Sequence, residues 1–193
     1  LLEAGYQVLA FDAPAHGSTT GEQSNGFELA EAIETVVKYQ NSSNSQLSQS
    51  IEGIIAHSLG ATSTTLAFSK GMKTRKVVYI GTMCWISNAL TLFARRAKLS
   101  IEVSEALRHL FEEQFGQDVW QRLAVDQNAQ NLTIPVLLFH DRRDREVVFD
   151  ESLTVSQVWS NARLIETVGL GHRRILRDKS VVQQTVDFMS TSV

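Results

Sequence analysis

Short apolar runs and stretches of helical spacing alternate along the chain. Gln7-Val8-Leu9-Ala10-Phe11 follows Gly5 and predicts a buried strand. Ile51–Ala56, Lys76–Ile80, Val136–His140 (opened by Pro135) and the weaker Ala162–Thr167 predict four more. Phe27, Ala30, Ile33, Val36 and Val37 recur at helical spacing from about Gly26 to Gln40. A second helix is expected from Ser58 to about Lys70. A last one is expected over Lys179–Met189, with Val181, Val182, Thr185, Val186 and Phe188 on its inner side. Strands alternating with helices imply an α/β fold, a mostly parallel sheet covered by helices on both faces. Asn41–Ser50, rich in Ser, Asn and Gln, predicts a surface connection.

The stretch from about Cys84 to Thr133 breaks this alternation. It predicts two or three helices, among them Glu102–Phe115. About fifty residues is long for a simple crossover, so this insertion (about 84–133) is expected to cap one end of a single domain spanning residues 1–193. Phe93, Leu107, Leu110, Phe111, Phe115 and Trp120 are expected to pack the cap onto the body, with some lining a pocket.

Composition narrows the function classes. The chain has 193 residues, 43% of them hydrophobic, enough for one sizeable core. A net charge of −3 gives no reason to expect a nucleic-acid partner, and Arg95-Arg96 and Arg173-Arg174 read as solvated faces. No apolar run approaches the roughly 18 residues needed to cross a membrane. The opening Leu1-Leu2-Glu3-Ala4-Gly5 lacks the basic start of a signal peptide and reads as the last turn of a helix, which suggests a chain cut upstream. The lone Cys84 cannot form an internal disulfide, which fits a reducing, cytoplasmic setting.

The strongest chemical signal is Ala56-His57-Ser58-Leu59-Gly60 between a strand and a helix. A serine there sits on a sharp turn that needs small residues two before and two after it. The Leu59 backbone N–H would then face a developing oxyanion. A serine hydroxyl needs a base. Of the five histidines, His172 lies in the glycine-flanked loop Val168-Gly169-Leu170-Gly171-His172, after the last strand, where a general base could reach the serine. His57 is expected to pack or hydrogen-bond structurally. His16 sits in a loop at the serine's end of the sheet, and either could border a pocket. His109 reads as a surface residue, and His140 as a strand-end residue hydrogen-bonded in the end loops. The base needs an orienting carboxylate. Asp144 is favoured because an apolar pair, Val147-Val148, anchors its loop; Asp141 is the alternative.

The order Ser58, Asp144, His172 resembles that of the α/β-hydrolase family. Gly5–Gly17 is similar to that family's fourth strand and following loop, Ala56–Ala61 to its nucleophile elbow, Pro135–Val148 to its seventh strand and acid loop, and Gly169–Arg173 to its histidine loop. The elbow has alanine where glycine is usual. The resemblance implies a serine hydrolase of carboxylic esters or thioesters that needs no metal or cofactor, with a small-molecule substrate. It also implies a truncated form of the fold, because the first three strands and the early loop that supplies half of the oxyanion hole are missing. The strand that would lie between Gln7–Phe11 and Ile51–Ala56 is among them. Those two are then expected to pair directly, or the gap to be filled by a segment outside the sequence or by a second copy in a homo-oligomer. Losing one oxyanion donor typically slows such enzymes by about 100- to 1,000-fold. The competing expectation is therefore a non-catalytic relative or fragment acting as a binding module.

Overall fold

The structure, a computed structural model, describes residues 1–42 and 51–191. Four strands form one sheet in chain order: β1 (Gly53–His57), β2 (Lys76–Ile80), β3 (Val136–Asp141) and β4 (Ala162–Thr167). Every neighbouring pair is parallel. The helices are α1 (Gly26–Ser42), α2 (Leu59–Ser69), α3 (Ile86–Arg96), α4 (Ile101–Phe115), α5 (Val119–Arg122), α6 (Val125–Ala129), α7 (Phe149–Val158), α8 (Gly171–Arg174) and α9 (Lys179–Ser190). Among the described residues, no helix is long and apolar enough to cross a membrane.

The two central strands are buried along their whole length, so both faces need apolar cover. Val77, Tyr79, Val136 and Leu138 pack with Phe68 of α2, Val125 of α6 and Val155 of α7. Their alternates Val78, Ile80, Leu137 and Phe139 pack with Ile175 and with Val181 of α9. This is the two-faced parallel sheet that the pattern predicts. The outer strand β1 is less well covered, with Ile55 40% exposed.

The segment Gln7–Phe11 is the main correction. It pairs with no strand among the described residues, and Val8, Leu9 and Phe11 are exposed. An apolar run specifies a wish for burial, whereas a strand also needs a partner for its backbone groups. Here the segment faces β1 across a groove of about 860 Å³, bordered by Ile33, Val36 and Val37 of α1 and by Met189 of α9. The two segments do not pair directly.

Between β2 and β3 lie four helices, α3 to α6, rather than two or three. The additional ones, α5 and α6, have four and five residues, too few for a periodic signal. Phe111 stacks on Trp120 and Phe115 meets Phe27, as packing requires, but Phe93 and Leu110 point to solvent. Of the predicted connection Asn41–Ser50, the first two residues extend α1, and 43–50 lie outside the described residues.

Candidate active site

The turn from β1 into α2 fixes Ser58. Its φ of 54° and ψ of −123° lie outside the regions that a residue with a side chain ordinarily occupies. The conformation is held from both sides. The Ser58 N–H donates to the Ile80 carbonyl at 3.1 Å, and the Ser58 carbonyl accepts from Ala61 N at 3.0 Å. A methyl at Gly60 would stand 3.7 Å from the Ala56 Cβ, so strand and helix already approach to van der Waals contact there. Alanine at position 56 fits that space. Leu59 is the first residue of α2, where backbone N–H groups have no acceptor within the helix.

His172 and Asp144 meet on the neighbouring loops. The His172 Nδ1 lies 2.7 Å from Asp144 Oδ2, and both side chains are buried. Oδ1 of the same carboxylate accepts the amides of Glu146 at 2.8 Å and Val147 at 3.0 Å. Burial opposes ionisation of Asp144. The hydrogen bonds from His140, His172 and the two amides outweigh it and hold the carboxyl well below its ordinary range. An ionised acceptor at Oδ2 requires the proton on Nδ1, which leaves Nε2 of His172 with a free lone pair.

The strand order brings this pair toward the serine. Gly81 directly follows Ile80, the residue that accepts the Ser58 N–H. A Cβ placed on Gly81 would lie 3.1 Å from His172 Nδ1 and 3.6 Å from Asp144 Oδ2, so the pair rests on the strand beside the elbow. His57, next to Ser58 in the chain, has its ring 4.4 Å from the ring of His172, and its Nε2 donates to the His172 carbonyl at 3.0 Å. Among the described residues no hydrogen bond joins His172 directly to the Ser58 hydroxyl.

The other candidates are also placed. His16 is exposed, and its Nδ1 donates to the Pro14 carbonyl at 2.9 Å, within its own loop. His109 is exposed on α4. His140 is fully buried at the end of β3; Nδ1 accepts from the Ser152 hydroxyl at 2.6 Å, and Nε2 donates to the Val147 carbonyl at 3.0 Å. The same Nε2 lies 3.4 Å from Asp144 Oδ2, so His140 supports this carboxylate from the side of β3. Asp141 makes no contact with the imidazole of His172 among the described hydrogen bonds and instead binds backbone and hydroxyl groups. Sequence reasoning missed the contact of His57 with His172 because 115 residues separate the two. Among the described residues, no cluster of His, Cys, Asp and Glu could hold a metal ion.

Two cavities lie near the sheet. The 860 Å³ groove runs along the free edge of β1 and touches neither Ser58 nor His172. A recess of about 120 Å³ includes Leu59 in its wall, together with Phe27, Ile86, Phe111, Phe115 and Leu123. Of these two, the smaller one reaches the elbow, through Leu59.

Neither a protein-family model nor a curated protein matches the chain. Solved structures do. The Pyrococcus furiosus esterase Pf2001 superposes with a TM-score of 0.72 at 22% identity, over 97% of this chain and 72% of that one. The Paleococcus ferrophilus monoacylglycerol lipase gives 0.70 at 17% identity, over 97% and 84%. Rv0554 from Mycobacterium tuberculosis gives 0.70 at 14% identity, over 100% and 82%. At these identities the likeness is one of fold, and the chain has the α/β-hydrolase fold.

Proposed function

We propose that the protein hydrolyses carboxylic esters or thioesters through an acyl-enzyme on Ser58. The observation that carries this reading is the 2.7 Å hydrogen bond from His172 to the buried, ionised Asp144, set beside a serine on a strained strand-to-helix turn. His172 would take the Ser58 proton at Nε2 as Oγ attacks the acyl carbonyl, and then give it to the departing alcohol or thiol. Water activated by the same nitrogen would release the acid. The Leu59 N–H opens α2 and makes no hydrogen bond among the described residues, which leaves it available to the tetrahedral oxyanion. Asp144 keeps the imidazole in the tautomer that this sequence needs.

The recess beside Leu59 suits an uncharged acyl chain, since most of its wall is aromatic and aliphatic and its polar wall residues, Ser24 and Asn25, carry no charge. The structural likeness to an esterase and a monoacylglycerol lipase supports the same class of reaction. The test is a panel of p-nitrophenyl esters, with a fluorophosphonate as covalent probe. Turnover together with labelling that disappears in Ser58→Ala supports the proposal. Absence of both in folded protein would leave the binding-module reading instead, and labelling that survives Ser58→Ala would move the nucleophile elsewhere.

A further inference from the structure

Asp141 is a buried carboxylate that the reaction above does not use. It is fully buried at the end of β3, three residues before Asp144. Among the described residues no Lys, Arg or His forms an ion pair with it. The adjacent Arg142 is turned away to Glu166 at 2.6 Å. Taking a carboxylate out of water without a cation is unfavourable unless hydrogen bonds replace the solvent. Four do. Oδ1 accepts from Arg143 N at 2.9 Å and Gly169 N at 3.2 Å; Oδ2 accepts from Leu170 N at 2.8 Å and the Thr167 hydroxyl at 2.8 Å. Burial opposes its ionisation, yet these donors together hold its carboxyl below the usual range.

The donors come from two different loops. Arg143 belongs to the loop that carries Asp144, and the Asp144 N–H itself donates to the Asp141 carbonyl at 3.0 Å. Thr167, Gly169 and Leu170 lead into His172. That second loop needs an anchor, because Gly169 and Gly171 both adopt left-handed backbone (φ 90° and 66°) and neither has a non-neighbouring atom within 4 Å of where a Cβ would stand. Such a segment is conformationally loose unless its amides are tied.

We infer that Asp141 is a positioning residue for the His172–Asp144 pair: one carboxylate clasps both loops and sets the distance between imidazole and acid. The role rests on the hydrolase reading for its effect on rate, but the clasp itself concerns only the geometry of this pair.

Two measurements keep the clasp and the hydrolase reading apart. The first is the far-downfield proton resonance of His172 Nδ1–H, assigned by its loss in His172→Ala; it reports the hydrogen bond to Asp144 without any turnover. The second is ester hydrolysis. Asp141→Asn places an NH₂ where N–H donors now converge, so the loop should release. The expected result is loss or marked broadening of the resonance, together with a fall in kcat of about 10- to 100-fold at nearly constant KM, the size typical of a displacement of about 1 Å. Thr167→Val, which removes one donor and suits a strand end, should keep the fold and shift the resonance with a fall of only a few-fold. If Asp141→Asn does not fold, the Thr167→Val result decides. A sharp, unshifted resonance and parental kcat in the folded variants would overturn the clasp. A resonance that responds in a protein with no esterase activity would uphold the clasp and refute the hydrolase reading.

Discussion

Asp144→Asn keeps the shape of the side chain and removes its charge, and the surrounding hydrogen bonds decide which way the new amide points. The amides of Glu146 and Val147 donate to Oδ1 at 2.8 and 3.0 Å, so the asparagine carbonyl must occupy that position. Its NH₂ then faces His172, where Oδ2 now accepts from Nδ1 at 2.7 Å. Two donors cannot share a hydrogen bond, so the imidazole shifts its proton to Nε2 and presents a lone pair to the asparagine. In that tautomer Nε2 can no longer accept the Ser58 proton. Restoring it by flipping the amide would turn an NH₂ toward two buried N–H groups, at about 1–3 kcal/mol for each unsatisfied donor. A value near the middle, about 4 kcal/mol, corresponds to a fall in kcat of about 1,000-fold. KM should change little, since the acyl recess does not include residue 144.

The assay is hydrolysis of p-nitrophenyl acetate, run with a thermal melt to show that the variant is folded. The melting temperature should fall, because the amide loses the charge-assisted bond to His172, but the transition should stay cooperative, since the asparagine carbonyl keeps both backbone hydrogen bonds. A folded Asp144→Asn protein within about tenfold of the parental kcat would refute the tautomer argument and with it the assignment of Asp144 as orienting acid.

Other consequences follow from the same geometry. Gly81→Ala places a methyl 3.1 Å from His172 Nδ1 at a φ of +58°, so kcat should fall about 10- to 100-fold with a loss of roughly 1–2 kcal/mol in stability; parental activity would mean that the imidazole does not rest there. Ser58→Gly should abolish turnover yet raise the stability measured by denaturant by about 1 kcal/mol, because glycine tolerates the turn that strains serine; a destabilised variant would deny the strain. Asp144 is held below its ordinary value of 3.8, so its contribution to stability is complete above that pH and is lost as pH falls toward the lower folded value; Asp144→Asn should flatten this part of the stability profile. His57 is also shifted down: burial, then the nearby His172, lowers its pKa from 6.5, so stability should fall as pH drops below 6.5, and His57→Gln should remove that slope. A second copy covering the groove beside β1 should appear as a dimer in sedimentation at micromolar concentration and should dissociate in Val8→Asp; a parental monomer throughout counts against it.

The central strands were legible because their residues are buried on both faces, which makes a continuous apolar run the only signal needed. Ser58 was legible for a different reason: the local sterics of the turn demand small neighbours, and Ala56 and Gly60 supply them within five residues. The choice between Asp141 and Asp144 had a weaker basis. Both lie among arginines, Asp141 ending β3 and Asp144 three residues beyond, and the apolar pair Val147-Val148 that favours Asp144 says nothing of where His172 lies. What separates them is the path of the loop after β4. It brings the amides of Gly169 and Leu170 to one carboxylate and the imidazole of His172, two residues past Leu170, to the other.

Gln7–Phe11 marks the limit of such reading. Its composition matches that of β2 closely enough to predict the same structure, yet β2 is fully buried and Val8 and Leu9 are half-exposed. The difference lies in the neighbours. Val77–Ile80 of β2 have a strand on both sides, whereas β1 ends the sheet and stands across a groove from this segment. Among the described residues, the backbone groups of Gln7–Phe11 and the outer edge of β1 therefore face each other across the groove without a strand partner, and an apolar run without one stays exposed.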